Sequence, residues 1–369
     1  MAHNSIVLLH GCKKNIGDFL IHDRSKSLIQ TALPQYDIIE LKSWEPLDSH
    51  VEKINSAKAL VIGGGPGIQE DMYPSTYPLV KILDDIKTPI VTLGVGWKGV
   101  PGDSLTIYRD YTISSQSIAL LQKMKAIGVR DIYTSRTLKR MGISNVSFNG
   151  CPVWYDQRYI GKRMDIPKKI SQIVITPSQN ALFHGQSVDL VKEVRSLFPQ
   201  ATIYVSFHRG IEPDKYTSQS ESTNIKKMVS EMKQYNVIIK DTSYNLENIA
   251  FYEECDIHLG YRLHAHIDFL SMRKPSFLLH EDGRGNGFSD TIGLPGINAW
   301  TRRFGSSKVA NTSVLPKNLL MTINPFAVSE AIDYLNEEIE TGFLRFHGIP
   351  QKIDSMYEKM NSFIKEQVG

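Results

Sequence analysis

The chain is poor in cysteine. Three thiols in 369 residues, Cys12, Cys151 and Cys255, are odd in number, far apart and without CxxC spacing. That pattern excludes a disulfide framework and a thiolate zinc site, and it fits a reducing compartment. No apolar run approaches the roughly 18–20 residues that a membrane span needs. Met1-Ala2-His3-Asn4-Ser5 lacks the basic segment and long apolar run of a signal peptide. Charge of one sign is also scarce. A net charge of +3, with no block of like charges, argues against nucleic acid as a partner. The expectation is a cytoplasmic protein, with peripheral contact at the inner face of a membrane left open.

Metal and dinucleotide signatures are missing as well. The sequence holds neither HExxH nor a DxD-like pair. His264 and His266 stand two apart, which on a helix turns them to different faces, and His258 precedes them on a strand. No metal is expected, and no cofactor. Gly94-Val95-Gly96-Trp97-Lys98-Gly99 matches GxGxxG after a strand, but Val100-Pro101-Gly102-Asp103 breaks a helix instead of opening one. The context of a nicotinamide or flavin site therefore fails. The same loop offers Trp97 as an aromatic on which a sugar ring could stack.

What is present is an ordinary globular composition, 41% hydrophobic and 22% charged, in a chain long enough for two domains. Short β-branched runs at 5–9, 37–41, 59–62, 89–93, 126–129 and 146–148 read as strands. Helical spacing fills 18–32, 77–86, 113–125 and 132–141 between them. The alternation then restarts, with strands at 172–176, 202–207, 237–240, 256–259 and 276–279 and helices at 187–198, 222–235, 246–254 and 263–272. This predicts two parallel sheets, each covered on both faces. The expected division is a Rossmann-like domain over 1–158, a second over 168–325, and a helical tail over 326–369. The polar stretch Asp156–Lys169 reads as the linker.

Ligands of open α/β sheets bind outside the carboxyl ends of the strands. At those ends the sequence places Gly260-Tyr261-Arg262-Leu263-His264-Ala265-His266, Phe207-His208-Arg209-Gly210, and His280-Glu281-Asp282 with Arg284. Arginine offers a fixed fork to phosphate or carboxylate, and histidine exchanges a proton near neutral pH. Two converging His/Arg pairs would make a pocket for a small, highly charged anion. A helix-start arginine beside a buried histidine is the plain structural alternative. In the first half, Asn15-Ile16-Gly17-Asp18 and Gly63-Gly64-Gly65-Pro66-Gly67 end strands. Asp18 serves either as a helix cap or as a ligand; the glycines permit positive φ and close approach of amides. Lys13 and Lys14 read as solvated lysines or as attractors of an anionic acceptor such as a lipid diphosphate.

Arg262-Leu263-His264-Ala265 resembles the RLHA element of the polysaccharide pyruvyl transferase family. Asn15-Ile16-Gly17-Asp18-Phe19-Leu20-Ile21 is similar to its NxGDxxI signature, and Val61-Ile62-Gly63-Gly64-Gly65 to its glycine-rich strand end. Gly128-Val129-Arg130-Asp131 through Thr134, Leu138 and Met141-Gly142-Ile143 resembles its VRD segment, with Thr134 in place of serine. The four elements occur in the family's order. Two departures stand out: Asn149-Gly150-Cys151-Pro152 where the family has Asp-Pro, and His280–Gly287 near its Tyr-Asp-x-Lys stretch.

The resemblance implies a GT-B-like fold, with two βα domains across a cleft and a C-terminal helix crossing back to the first. It also implies transfer of pyruvate from phosphoenolpyruvate to a sugar, free or lipid-linked, forming a cyclic ketal and releasing phosphate. Arg262 and His264 match the family's functional positions, with Leu263 between them. Arg209, His208 and His280 join the donor side by position. Asn15, Gly17, Asp18, Gly64, Gly65, Trp97 and Glu281 make the expected acceptor side. Two alternatives remain at this point. One is a metal-independent sugar-nucleotide glycosyltransferase of the same fold, although Ser289, eight positions after Glu281, breaks that class's paired-glutamate pattern. The other is a non-catalytic partner in polysaccharide assembly.

Overall fold

The β-branched runs of the first half pair as one parallel sheet whose inner strands are apolar on both faces. Leu8 and Val7, neighbours that point to opposite sides, are both fully buried. The computed structural model of the protein describes residues 4–97, 113–302 and 321–369. The first sheet contains β1 (Ser5–His10), β2 (Asp37–Lys42), β3 (Leu60–Ile68), β4 (Ile90–Trp97), β5 (Ala126–Val129) and β6 (Val146–Phe148), in the order β2-β1-β3-β4-β5-β6. Helices α1 (Ile16–Ala32), α2 (Val51–Asn55), α3 (Ser115–Lys123) and α4 (Ile132–Arg140) connect them.

The second sheet contains β7 (Gln172–Thr176), β8 (Thr202–Phe207), β9 (Ile238–Asp241), β10 (Ile257–Gly260), β11 (Ser276–His280) and β12 (Ile297–Asn298). Its order is β12-β11-β10-β7-β8-β9. The intervening helices are α5 (His184–Leu197), α6 (Gln219–Lys233), α7 (Leu263–Ser271) and α8 (Gly283–Ile292). A short antiparallel pair, β13 (Trp300–Arg302) and β14 (Met321–Ile323), follows. Strand order reverses between β1 and β3 in the first sheet and between β7 and β10 in the second. Those switch points are where open α/β sheets bind ligands.

The tail forms α9 (Ala327–Glu340) and α10 (Ile349–Phe363), broken near Gly342, which takes φ +66°. It returns to the first domain as expected. Lys125 Nζ donates to the carbonyl of Gln367 at 2.8 Å, and Tyr155 packs edge-on to Tyr357. This is a two-domain α/β protein of the GT-B type.

Several expectations are corrected. No helix fills 77–86: Pro78 disfavours the helical region for Tyr77, which sits at φ −119°, and Leu79 takes φ +44°. Only a 3₁₀ turn, Leu83–Asp85, remains. The stretch Leu246–Glu254 is a 3₁₀ helix, not an α-helix; its apolar Leu246, Ile249 and Tyr252 repeat every three residues, the 3₁₀ period. The segment Asp156–Lys169 is no loose linker. Asp156 is buried between Arg24 at 2.8 Å and Arg158 at 2.6 Å, and Gly161 N–H donates to Asp354 at 3.2 Å. Helix α8 went unread because glycine fills three of its first five positions.

Helix α8 joins the halves. Phe288 is fully buried, stacked at 5.8 Å on Trp154 and lying under the Arg130 guanidinium. Tyr133 of α4 hydrogen-bonds Asp290, and Ile132 N–H donates to Thr291 at 3.1 Å. Phe288→Ala should therefore cost about 3–5 kcal/mol of stability, read by urea denaturation, and Phe288→Leu markedly less. Equal midpoints for both variants and the parent would show that this contact holds nothing together.

Candidate active site

The two switch points face each other because the loop after β1 docks onto the second domain. Ile16 N–H donates to the His208 carbonyl at 3.0 Å, and Tyr244 N–H donates to the Lys14 carbonyl at 3.0 Å. Lys14, expected to be solvated, is buried; its ammonium pairs with Asp214 at 2.9 Å and donates to Thr217 at 2.7 Å. Gly17 then lies directly against the His264 imidazole, and any Cβ there would collide with the ring.

His264 lies in the first turn of α7, behind Arg262 at the N-cap. Burial, then the positive charges of Arg130 and Arg284, push its pKa down to about 3. It is a neutral imidazole at pH 7, and its buried Nε2 has no hydrogen-bond partner among the described residues. Arg262 is held by Gln179 at 2.9 Å and faces Glu281 at 3.6 Å, yet its Nε is buried and unpartnered in the same sense. Leu263 is buried beside them.

Arg130 and Arg284 complete the group, and neither was singled out from sequence as a ligand. Arg130 has no exposed surface. One of its nitrogens donates to the Trp97 carbonyl at 3.1 Å, while Nε and Nη1 have no hydrogen-bond partner among the described residues. Gly96 gives it room. Arg284 is gripped by Asp282 at 2.5 Å and is within electrostatic reach of Arg130, Arg262 and His264. The VRD segment was the available signal for Arg130. Arg284 was visible after a strand end, but its place beside Arg130 and His264 follows only from how α8 folds back.

Other expected residues sit differently. Arg209 is exposed at the rim, within electrostatic reach of Arg262 and Asp18. His208 is buried and bonded to Tyr252 at 2.9 Å, so it forms part of the floor. His280 has both ring nitrogens engaged, with Asn286 at 2.8 Å and Ser289 at 3.0 Å, and thereby holds α8. His208 keeps within electrostatic reach of Arg262 and His264, whereas both nitrogens of His280 are committed to α8 and its loop. Glu281, assigned to the acceptor, accepts from Ser178 at 2.7 Å and stands among the second-domain arginines. Trp97 is buried in the first-domain core, and its backbone N–H donates to the Thr134 hydroxyl at 3.0 Å. Residues 98–103 of the GxGxxG reading lie outside the described residues.

On the first-domain side, Gly64 and Gly65 are not in a turn. They continue β3 with φ +32° and +92°, and Gly64 lets Ile21 of α1 pack directly on the strand. They line a cavity of about 230 Å³ with Lys13, Asp18, Trp44 and Tyr77. Trp44 and Tyr77, not Trp97, are the aromatics there. Asn15 is the N-cap of α1 without a side-chain cap bond, and its amide donates to Asp18 at 3.3 Å. Asp18 is therefore not the cap. Burial raises its pKa to about 6, against the opposing pull of Asn15, Arg284, Arg209 and Lys13.

Four guanidiniums (Arg130, Arg209, Arg262, Arg284) thus meet four carboxylates (Asp18, Asp131, Glu281, Asp282), and several buried N–H and N positions have no hydrogen-bond partner among the described residues. Such an arrangement suits an anion. Among the described residues no three His, Cys, Asp or Glu side chains gather to hold a metal. No helix there is long and apolar enough to cross a membrane.

The sequence matches the profile of polysaccharide pyruvyl transferases over residues 15–282. The chain belongs to that family. No curated protein matches this transferase by sequence. Among solved structures it is similar to S. aureus MnaA in a co-structure with UDP, at TM-score 0.58 and 10% identity, covering 98% of this chain and 96% of that one. It is also similar to the UDP-GlcNAc 2-epimerase of Neisseria meningitidis bound to UDP-GlcNAc, at TM-score 0.54 and 10% identity, covering 98% and 99%. At such identity these likenesses carry the fold of the transferase alone.

Asp18 makes the site sensitive to pH. Its folded pKa of about 6 lies above the roughly 3.9 of an unfolded aspartate. The protonated carboxyl therefore favours folding, fully below pH 4, and that advantage is lost as pH rises through 6. Asp18→Asn should melt higher than the parent at pH 7.5, by on the order of 2 kcal/mol. The two should converge near pH 4 in thermal unfolding. A gap that does not change with pH would refute the raised pKa.

Proposed function

We propose that this transferase forms a pyruvate ketal on a sugar of a surface polysaccharide or its precursor, with phosphoenolpyruvate as donor and phosphate as leaving group. One observation carries the reading: buried polar atoms of Arg130, Arg262 and His264 that lack a hydrogen-bond partner among the described residues, in one interdomain group with Arg284. Leaving such groups unpaired costs free energy in the fold. A compact molecule with a carboxylate and a phosphate has the oxygens to fill them.

The chemistry follows from the charges. Protonation of the donor's methylene carbon makes C2 electrophilic. One sugar hydroxyl adds to C2, the C2–O bond to phosphate breaks, and a second hydroxyl closes the ketal. Of the two hydroxyl protons, one balances the proton taken up at carbon and the other leaves with phosphate or to solvent. The arginines would hold the donor's carboxylate and the phosphate as its charge grows. His264, neutral at pH 7, is set to accept a proton or a hydrogen bond, and not to arrive as the acid. Asp18, with a pKa of about 6, is the group that exchanges a proton near neutrality. Turnover should need no divalent metal.

The donor is tested by incubating the protein with phosphoenolpyruvate and a panel of nitrophenyl and lipid-linked sugars, with and without chelator. Mass spectrometry should find an acceptor bearing a pyruvyl ketal, with phosphate released in both cases. Transfer of a hexose from a sugar nucleotide would instead establish the glycosyltransferase alternative. Loss of activity with chelator, restored by magnesium or manganese, would refute metal independence.

Substitutions at three positions separate roles within the site. Arg130→Met should leave the fold as stable or more so, since it removes an incompletely paired buried charge, while weakening donor binding. His264→Ala should cut turnover by about 10²–10⁴-fold if the ring handles a proton, with His264→Gln failing to restore it. Arg262→Lys should chiefly raise the KM for donor, because the ammonium lacks the planar fork. Near-normal kinetics in all of these variants would overturn the assignment.

A further inference from the structure

The first-domain cavity holds chemistry that the donor pocket does not use. We infer that it is a subsite for a glycosyl phosphate, with one sugar ring against Trp44 and the phosphate at Lys13. The inference builds on the proposed function only in treating that sugar as the acceptor.

The cavity, at about 230 Å³, is smaller than the roughly 300–1,000 Å³ of sites for drug-sized ligands, so it suits one ring and not a chain of them. Trp44 lies on its wall and is only partly buried. It is steadied by His10, whose ring stands near-perpendicular to it at 5.9 Å and 84°. An indole offers an apolar plane to the C–H face of a sugar while staying rigid. Ser43, Gln69 and Asp18 supply polar atoms around that plane for hydroxyl groups. Asp18 faces both ways: it lines this cavity and is within electrostatic reach of Arg284 and Arg209. A sugar seated on Trp44 would therefore present hydroxyls toward the proposed donor.

Lys13 sets the charge of the ligand. Its ammonium lies 4.9 Å from the Trp44 ring centre, and no carboxylate among the described residues comes within ion-pair distance. Its neighbours differ: Lys14 is buried on Asp214, and Lys42 is paired with Glu45 at 2.8 Å. An exposed cation beside an aromatic platform matches a sugar with an anionic substituent next to the ring. A glycosyl phosphate, free or as the head of a lipid-linked diphosphate, has that form.

The test is binding without phosphoenolpyruvate, so it stands apart from the donor reading. Isothermal titration calorimetry would use a panel of hexose 1-phosphates, the matching methyl glycosides, inorganic phosphate, uridine monophosphate, and a polyprenyl-diphosphate sugar in detergent. At least one hexose 1-phosphate should bind about tenfold or more tighter than its methyl glycoside and than inorganic phosphate. Lys13→Gln should erase the difference from the glycoside. Trp44→Ala should weaken both sugars about tenfold, and Trp44→Phe should recover most of the loss, which rules out a folding defect. Tighter binding of the polyprenyl sugar would identify the lipid-linked source, and equal binding the free one. The inference is overturned if no sugar phosphate binds, if Trp44→Ala leaves binding unchanged, or if uridine monophosphate binds best. Sugar-phosphate binding without ketal formation would refute the proposed function and leave this subsite standing.

Discussion

Everything about the site depends on how closely residue 17 lets the two domains approach. Gly17 has no side chain, and the imidazole of His264 occupies the space a Cβ would take. The backbone on either side is committed to the same contact, through Ile16 to the His208 carbonyl and Lys14 to the Tyr244 amide. A residue with any side chain would separate α1 from α7 and carry Asp18 away from Arg284. Two parallel sheets with their switch points facing make a cleft; this glycine makes it a narrow one. The Asn15-Ile16-Gly17-Asp18 signature thus has a mechanical reading beside its chemical one.

A narrow cleft between charged walls is costly, and the manner in which that cost is met points to function. Four arginines and four carboxylates gather there, so the local charge is balanced. Balance is not satisfaction, however. Asp282 grips Arg284 on both oxygens, and Gln179 and Glu281 hold Arg262. Arg130 is the extreme case, fully buried with two nitrogens lacking a hydrogen bond among the described residues, Nε facing Asp131 only at 3.7 Å. A protein optimised only for stability would replace it with an apolar side chain. Its retention under Phe288, one hydrogen bond from the Trp97 carbonyl, is what a pre-arranged anion site requires.

The strands were readable because buried parallel strands are short runs of β-branched residues, and their boundaries mostly fell within a residue or two. The exceptions were β12, β13 and β14, two or three residues each and not read, and β3 and β4, which run on through Gly63-Gly64-Gly65 and Gly94-Val95-Gly96. Glycine in those positions reads as a turn, but here it admits Ile21, Pro152 and Arg130 against the strands. Arg262 and His264 were legible because a strand end and a helix start localise them along the chain. His208 and His280 were placed on that same argument, which does not see that one ring nitrogen of His208 is engaged by Tyr252 and both of His280 by Asn286 and Ser289. Trp44 and Arg284 could not be weighed properly at all, since what places them is the packing of a loop and a glycine-rich helix.

The remaining question is which group holds a proton at neutral pH, and burial decides it in opposite senses. Burial disfavours charge, so it empties a histidine of its proton and fills a carboxylate with one. His264 is driven to about 3 with two arginines adding to the effect, whereas Asp18 is driven up to about 6 while Arg284, Arg209 and Lys13 pull it back. An anionic donor among these arginines would offset their positive field at both sites. It would raise the affinity of each group for a proton, since the charge that opposed His264 and favoured ionised Asp18 would be neutralised. The same binding event that fills those guanidinium nitrogens would therefore move Asp18 toward the protonated form near pH 7 and make His264 a stronger base. Proton handling in this cleft is best understood as coupled to donor binding, because burial sets both pKa values and arginines that would face the donor add to one shift and oppose the other.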